Sequence, residues 1–499
     1  MEYLYEKLEA YGKSDYYGFH MPGHKRNSDV TRANLPYGID ITEIEGFDNL
    51  HHAEEIIREA EVRAASMYHA EETHYLINGS TAGILSAVMG CTKKGGKILM
   101  ARNCHKSVYH AVFLNELRPV YIYPEFDETM ELNMAVSPEK IERLLEEHKE
   151  VQAVVLTSPT YDGVLSDIER ISEIVHQKKI PLIVDEAHGA HFSFGKDFPR
   201  SALDCGADVV IQSLHKTLPS LTQTALLHIK SKIIEPSEIE GYLPALTQTA
   251  LIHLNGTRID RRKIRNYLHI FQTSSPSYVL MASMDECLRT VAEQGDVLFE
   301  TYVKNLESKR GELKKLKHIR LMETEEFDRS KLVLSVKDTI LKKENRVFTG
   351  KMLYERLLLE YHLQMEMAAG SYVIAMTSIG DTKEGMDRLL SALFEIDEEL
   401  EKNSEKEKRY YLPRQEQVLT SFEVEGMRRM ENVKSLSWKE SAGFISMEYA
   451  YLYPPGIPLI VPGERITKET AAMLVDYQNK GFSVEGISVE NYIEVLINE

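Results

Sequence analysis

From Thr73 to about Ile229 the chain repeats one pattern: a short apolar run, a break at Gly, Pro or Asn, then a stretch with helical periodicity. The runs are THYLIN, GGKILMA, RPVYIYP, VQAVVLTSP, KIPLIVDEAH and ADVVIQSLHK, with PEKIERLLEEHKE and IERISEIVHQKK among the segments between them. Short Val/Ile/Leu-rich strands alternating with helices imply crossover connections. The predicted fold class is therefore α/β, with a mostly parallel central sheet covered by helices on both faces. Such sheets bind their ligands outside the carboxyl ends of the strands. The residues that follow each apolar run are the first place to look for chemistry.

A chain of 499 residues exceeds what one core supports. An N-terminal segment (1–72) precedes the large α/β domain, predicted over 73–285. Beyond Asp285 the pattern changes to long helices and a few strands (IRLME, KLVLSV, YVIAMTSI), predicting a smaller α+β domain over 286–400. The charge-rich 401–415 reads as an exposed linker. A C-terminal domain, 416–499, contains the turn-dense YPPGIPLIVPGE. One short duplication lies within 218–253: LPSLTQTALLH (Leu218–His228) recurs as LPALTQTALIH (Leu243–His253). A single recurrence is a local tandem duplication, since a stacked repeat needs three copies or more.

The net charge of −18 disfavours nucleic acid and anionic membranes as partners. Cys91, Cys104, Cys205 and Cys287 show no metal-ligand spacing and read as free thiols, so no metal is expected. With no apolar run of spanning length, a cytoplasmic location is expected.

The strand ends hold one constellation. THYLI is followed by NGSTAG, Asn78–Gly83, whose small residues open a helix and converge N–H and hydroxyl groups as an anion site would. His105 follows KILMA, TYDG follows AVVLTSP, and Asp185 terminates PLIV with His188 three residues on. ADVVI runs into Gln212 and Ser213, then His215 and Lys216. The DEAH string is not a helicase signature, because no G-x-x-x-x-G-K-[ST] phosphate loop precedes it. Pyridoxal 5'-phosphate, by contrast, needs a lysine for its aldehyde, a phosphate cup, a carboxylate for its ring nitrogen and a flat group against the ring. Lys216, Ser80 with Thr81, Asp185 and His105 supply these in turn.

The ordered series FHMPGHK, LINGSTAG, RNCHKS, SPTYDGV, DEAHGAH, SLHKTLP, TSSPSY, SAGFISMEY and YPPGIPLIVPGE resembles the fold-type I ornithine/lysine/arginine decarboxylases, and their shorter bacterial members most. The resemblance implies an aspartate-aminotransferase-like architecture and decarboxylation of a basic amino acid. It implies Lys216 as the Schiff-base lysine, Asp185 on the pyridinium nitrogen and His105 stacked on the ring. Gly79, Ser80, Thr81, Ser213 and His215 would surround the phosphate, and Ser274 or Ser275 would reach the partner subunit's phosphate. A homodimer or higher homo-oligomer with shared sites is thus expected. Lys216 or His188 is the expected proton donor to Cα, and Glu464 of PGE is placed near the active-site entrance to meet the substrate's distal cation. Arginine is the favoured substrate, by analogy with the short biosynthetic enzymes, ahead of lysine and ornithine. Two competing readings stand beside this one: another carbon–carbon lyase or aminotransferase on the same fold, and a catalytically silent paralogue with a binding role. The duplication departs from the family pattern. Either Ile229–Pro244 is extruded, or the first copy is displaced and the second takes its place.

Overall fold

The computed structural model describes residues 2–17, 19–28, 33–231, 258–403, 413–429, 431–452 and 456–497. Seven strands form the central sheet: β1 (Glu72–Leu76), β2 (Lys97–Ala101), β3 (Arg118–Ile122), β4 (Val151–Thr157), β5 (Leu182–Asp185), β6 (Val209–Gln212) and β7 (Ala225–Ile229). Their order is β1-β7-β6-β5-β4-β2-β3. The five strands from β6 to β3 run parallel, whereas β7 pairs antiparallel with both β6 and β1. Strands buried on both faces must be apolar throughout, and Val154, Val155, Leu156, Ile183, Val184, Val210 and Ile211 are all sealed from solvent.

The crossover helices α1 (Gly79–Cys91), α2 (Lys106–Leu114), α3 (Pro138–Glu147) and α4 (Ile168–Gln177) pack on this sheet. Ser137 and Asp167 cap the first turns of α3 and α4, fixing where those helices begin. α1 approaches the sheet closely at Gly83. A Cβ there would lie 2.6 Å from Leu76 Cδ1 and 3.2 Å from Ile211 Cγ2. That approach sets the N-terminus of α1 beside the ends of β1 and β6.

The first copy of the duplicated segment occupies the sheet. Its last residues begin β7, in register with β1 from Leu76↔Ala225 to Glu72↔Ile229. The first copy is therefore not displaced, and it supplies a strand absent from the predicted set. The second copy, Leu243–His253, lies outside the described residues.

After β6 come the short α5 (Leu214–Thr217), α6 (Arg261–Phe271) and the 36-residue α7 (Tyr278–Leu313). The boundary expected at 285/286 falls inside α7. No breaker interrupts it there, and one buried stripe runs through Met281, Met284, Leu288 and Val291. Asp285 itself is buried, accepting hydrogen bonds from Leu4 N at 2.9 Å and Arg63 Nη2 at 2.7 Å. It ties the N-terminal segment to the helix.

Beyond α7, β8 (Arg320–Met322), β9 (Lys331–Ser335), β10 (Met367–Ala368) and β11 (Tyr372–Met376) form an antiparallel sheet in the order β8-β9-β11-β10. A strand at Leu400–Lys402 takes up the start of the predicted linker, while 404–412 lie outside the described residues. In the C-terminal part, β12 (Glu416–Gln417), β13 (Val433–Ser437), β14 (Ile445–Ser446), β15 (Glu464–Arg465) and β16 (Tyr492–Leu496) form a five-stranded sheet, order β12-β15-β14-β16-β13. Its core of Leu436, Trp438, Ile460, Ile466, Leu474 and Ile493 is separate from the main one. Among the described residues, no helix is long and apolar enough to cross a membrane.

Candidate active site

The polar residues at the ends of β1, β2, β4, β5 and β6 converge on one cavity of about 520 Å³. Gly79, Ser80, Thr81, His105, Asp185, His188, Ser213, His215 and Lys216 all line it. Each is brought there by the turn that follows its strand, which is why the sequence pattern located them.

Lys216 stands on α5, directly after β6. Burial lowers its ammonium below the ordinary value, and the Asp185 carboxylate opposes this. Its Nζ lies 3.0 Å from His188 Nε2. Asp185 ends β5 with its side chain buried, accepting a hydrogen bond from Ala187 N at 3.2 Å. Burial raises its carboxyl, against the pull of Lys216. Such an acid gains from a cationic N–H partner in the cavity. Burial, with Lys216 adding to it, pushes His105 down to about 3, so its ring is neutral and suited to lie against a flat aromatic face.

Around the N-terminus of α1, Asn78 makes no capping hydrogen bond with its side chain. Gly79 takes a left-handed φ of +73° that brings this end to the cavity. The Ser80 and Ser213 hydroxyls are 2.6 Å apart beside it. His215 donates from Nδ1 to the Thr224 carbonyl at 2.8 Å, leaving Nε2 as an acceptor for a protonated phosphate oxygen or water. An uncapped helix N-terminus with clustered hydroxyls fits a phosphate group. The donor set fits pyridoxal phosphate: an amine, a buried carboxylate needing a cation, a neutral ring and an anion cup.

Ser274 and Ser275 are exposed and do not line this cavity of their own chain. Glu464 requires a correction. It is fully buried, its Oε2 accepting from Arg102 Nη2 at 3.1 Å and from Val461 N at 2.9 Å, and it does not line the cavity. Its charge is already matched inside the protein, so it is not a contact for a substrate cation. The PGE turn resembles a surface loop in sequence, but Arg102 at the end of β2 draws its carboxylate inward.

Three cavity groups escaped sequence reasoning as site residues, Asp162, Glu366 and Tyr161, and so did Lys331, which is buried and does not line the cavity. Asp162 and Tyr161 belong to TYDG after β4, a strand end that was visible. Glu366 lines the cavity from the segment before β10, and Tyr161 donates its phenol proton to it. The Tyr372 hydroxyl donates to Asp162 at 2.7 Å, and burial raises the Asp162 carboxyl. Lys331 opens β9 and reaches His188 from the opposite side to Lys216, Nζ to Nδ1 at 3.0 Å. No strand-end signal marks Glu366 or Lys331.

A lysine, a carboxylate and an anion cup at the strand ends of a mixed α/β sheet, with a small antiparallel domain closing over them, define a fold-type I α/β enzyme. Sequence relationships are more specific. The Orn/Lys/Arg decarboxylase major domain matches residues 3–244 and 238–339, and the Orn/Lys/Arg decarboxylase C-terminal domain matches 404–480. The chain belongs to this family of carboxy-lyases. It is 28% identical over 501 residues to an arginine decarboxylase of Bacillus subtilis, covering 97% of this chain and 95% of that protein. It is 33% identical over 489 residues to the uncharacterized protein YaaO of the same organism, with 94% and 93% covered. The fold superposes on the constitutive lysine decarboxylase of E. coli with a TM-score of 0.76 at 19% identity, over 99% of this chain and 81% of that one.

Proposed function

We propose that this chain holds pyridoxal 5'-phosphate on Lys216 and decarboxylates a basic amino acid, arginine ahead of lysine and ornithine, to the corresponding amine and carbon dioxide. The observation that carries this reading is the sharing of one cavity by Lys216 and Asp185 with two further carboxylates, Glu366 and Asp162. Both acids accept a hydrogen bond from a neutral tyrosine hydroxyl, Glu366 from Tyr161 and Asp162 from Tyr372, and a distal cation adds the charged donor that an apolar amino acid lacks. Arginine leads because the arginine decarboxylase relatives match along nearly the whole chain.

The cofactor, when bound, supplies the electron sink into which the Cα–carboxylate bond breaks. The protein residues do the rest. Lys216 would hold the aldehyde of the cofactor. Asp185 holds the ring nitrogen protonated. His105 covers one face, and Gly79, Ser80, Thr81, Ser213 and His215 fix the phosphate. His188, whose Nε2 faces Lys216, delivers the proton that Cα needs once carbon dioxide has left. Ser274 and Ser275 are exposed at the start of the turn before α7 and suit the role of reaching the partner's phosphate, which makes the working unit a homodimer. The reaction belongs to the cytoplasm, where basic amino acids feed amine synthesis.

The test is to supply arginine, lysine and ornithine separately to the holoenzyme and identify the amine. Agmatine as the main product supports the reading. Cadaverine or putrescine instead overturns the arginine assignment, and no amine from any of the three overturns the decarboxylase reading for this chain.

A further inference from the structure

Lys331 begins strand β9 of the small domain, and its side chain is completely buried. Among the described residues its Nζ has one hydrogen-bond partner, His188 Nδ1 at 3.0 Å, and it forms no ion pair. His188 Nε2 is 3.0 Å from Lys216 Nζ on the other side. One imidazole thus bridges two lysines, one from each domain. The edge of the Tyr161 ring packs against it, with centroids 4.7 Å apart.

The hydrogen-bond inventory restricts this chain. An ammonium only donates, while a neutral imidazole offers one N–H and one acceptor nitrogen. His188 is neutral, because burial lowers it well below its ordinary value and both lysines lower it further. If both lysines were charged, one would face an N–H with its own N–H. One lysine is therefore the free amine, and its identity fixes the His188 tautomer. Carboxylates act on both lysines, three on Lys331 and two, Asp185 and Glu366, on Lys216, so the cofactor aldehyde and not the field chooses between them. Lys331 faces Asp328 from the preceding turn, Asp162 from the loop after β4 and Glu366 from before β10, with Lys216 the opposing cation. Lys216, for its part, gives up its amine to the cofactor aldehyde.

We infer that Lys331 is a positioning residue that donates as an ammonium to His188 Nδ1 and so holds the imidazole as the Nε2–H tautomer, aimed at the reacting centre. This inference rests on the role given to His188 above. The proton balance closes. Nε2–H passes its proton to Cα, and the lone pair left on Nε2 makes the ring anionic unless Nδ1 is protonated. Lys331 Nζ transfers a proton to Nδ1, leaving a neutral ring and a neutral amine. Water re-protonates Lys331 when the product leaves. Burial lowers Lys331 to about 8, the three carboxylates resisting, so it loses its charge within the working range. Above that pH, the tautomer is no longer set.

The test uses Lys331→Met and Lys331→Arg in the holoenzyme, with two readouts. In the pH–rate profile, wild-type kcat should fall as pH rises through about 8. Lys331→Met should lose about 10- to 100-fold in kcat at an unchanged KM, and lose this alkaline limb. Lys331→Arg, which keeps its charge, should retain most of the rate and carry the limb to higher pH. Without substrate, the absorbance titration of the bound cofactor reports the charge beside Lys216. Its midpoint should rise by about one pH unit in Lys331→Met and return to the wild-type position in Lys331→Arg. A wild-type profile with no alkaline limb, or a midpoint that is the same in all three proteins, overturns the inference. If Lys331→Met does not fold, the limb and midpoint of Lys331→Arg decide alone. If the wild type releases no amine, the decarboxylase reading fails, yet the substrate-free titration still decides whether Lys331 carries the charge.

Discussion

The Arg102 guanidinium and the Glu464 carboxylate lie 3.1 Å apart, both side chains sealed from solvent, joining the end of β2 to the C-terminal sheet. Arg102 also donates to the Pro458 carbonyl at 2.5 Å and to the Leu459 carbonyl at 3.3 Å. Three bonds to one short segment fix the turn that precedes β15. Ile457 of that segment lines the active cavity. The pair is thus a clamp that holds the C-terminal domain against the residues carrying His105.

Glu464→Gln removes the counter-charge of a buried guanidinium and should destabilise the protein by about 3–5 kcal/mol, the usual result of breaking a buried pair from one side. Thermal unfolding measures this. The ratio of kcat/KM among arginine, lysine and ornithine should not change. A changed ratio with unchanged stability would return Glu464 to the substrate site.

Lys216→Ala should abolish both turnover and the absorbance of covalently held cofactor, while circular dichroism shows an intact fold. The side chain faces a cavity and is partly exposed to it, so its removal costs little packing. Retained covalent absorbance would mean that another lysine carries the aldehyde.

Asp185→Asn should keep cofactor affinity within reach but lower kcat by about two to three orders of magnitude, because an amide does not hold a proton on the ring nitrogen. Its backbone contact with Ala187 N survives the change, so folding should be preserved. Single-turnover kinetics separate this loss from slower product release. A near-normal rate would reduce Asp185 to a structural role at the end of β5.

Lys216, Asp185 and His188 were legible in the sequence because strands buried on both faces appear as continuous apolar runs. Their polar ends then mark the ligand edge of the sheet. Lys331 was not legible, since a lysine opening KLVLSV is indistinguishable from one that points to water. Only the antiparallel pairing of β9 with β11 turns it toward His188. Glu464 was misplaced for the same physical reason in reverse. Its partner is 362 residues away in sequence, so nothing local shows that the turn is buried. β7 was overlooked because its apolar residues lie within a duplicated segment, where the repeat masks the strand pattern.

The stability of the sheet edge should depend on pH through His74. This side chain on β1 bonds through Nε2 to Glu72 Oε1 at 2.8 Å and has Glu61 Oε1 at 3.7 Å from Nδ1. Burial alone would lower His74, but the two glutamates push it up to about 9. A folded-state value above the unfolded one means that the stabilisation is fully present below about pH 6.5. It is lost as pH rises through about 9. A shift of this size corresponds to about 3 kcal/mol as an upper bound. Urea unfolding of wild type and His74→Gln at pH 6 and pH 10 should show a gap at the lower pH that closes at the higher one. An equal gap at both would show that His74 is neutral in the fold.

Glu366 and Asp162 should decide which substrates enter. Asp162 is an acid whose carboxyl burial has raised, so a cation seated beside it restores the charged form and gains from doing so. Glu366 lines both the active cavity and a neighbouring one of about 560 Å³. A guanidinium presents a planar fork that two carboxylates match better than one, whereas an ammonium satisfies either acid singly. Glu366→Gln should therefore raise KM for arginine by about 10- to 100-fold, with a smaller rise for lysine, because one charge-assisted contact is worth roughly 1.5–3 kcal/mol. The rate at saturation should change less, as Glu366 does not hold the reacting bond. Asp162→Asn should act in the same direction and add less than independently, since both acids meet one cation. Equal KM changes for arginine and for an uncharged isostere such as citrulline would show that Glu366 shapes the cavity rather than reading charge.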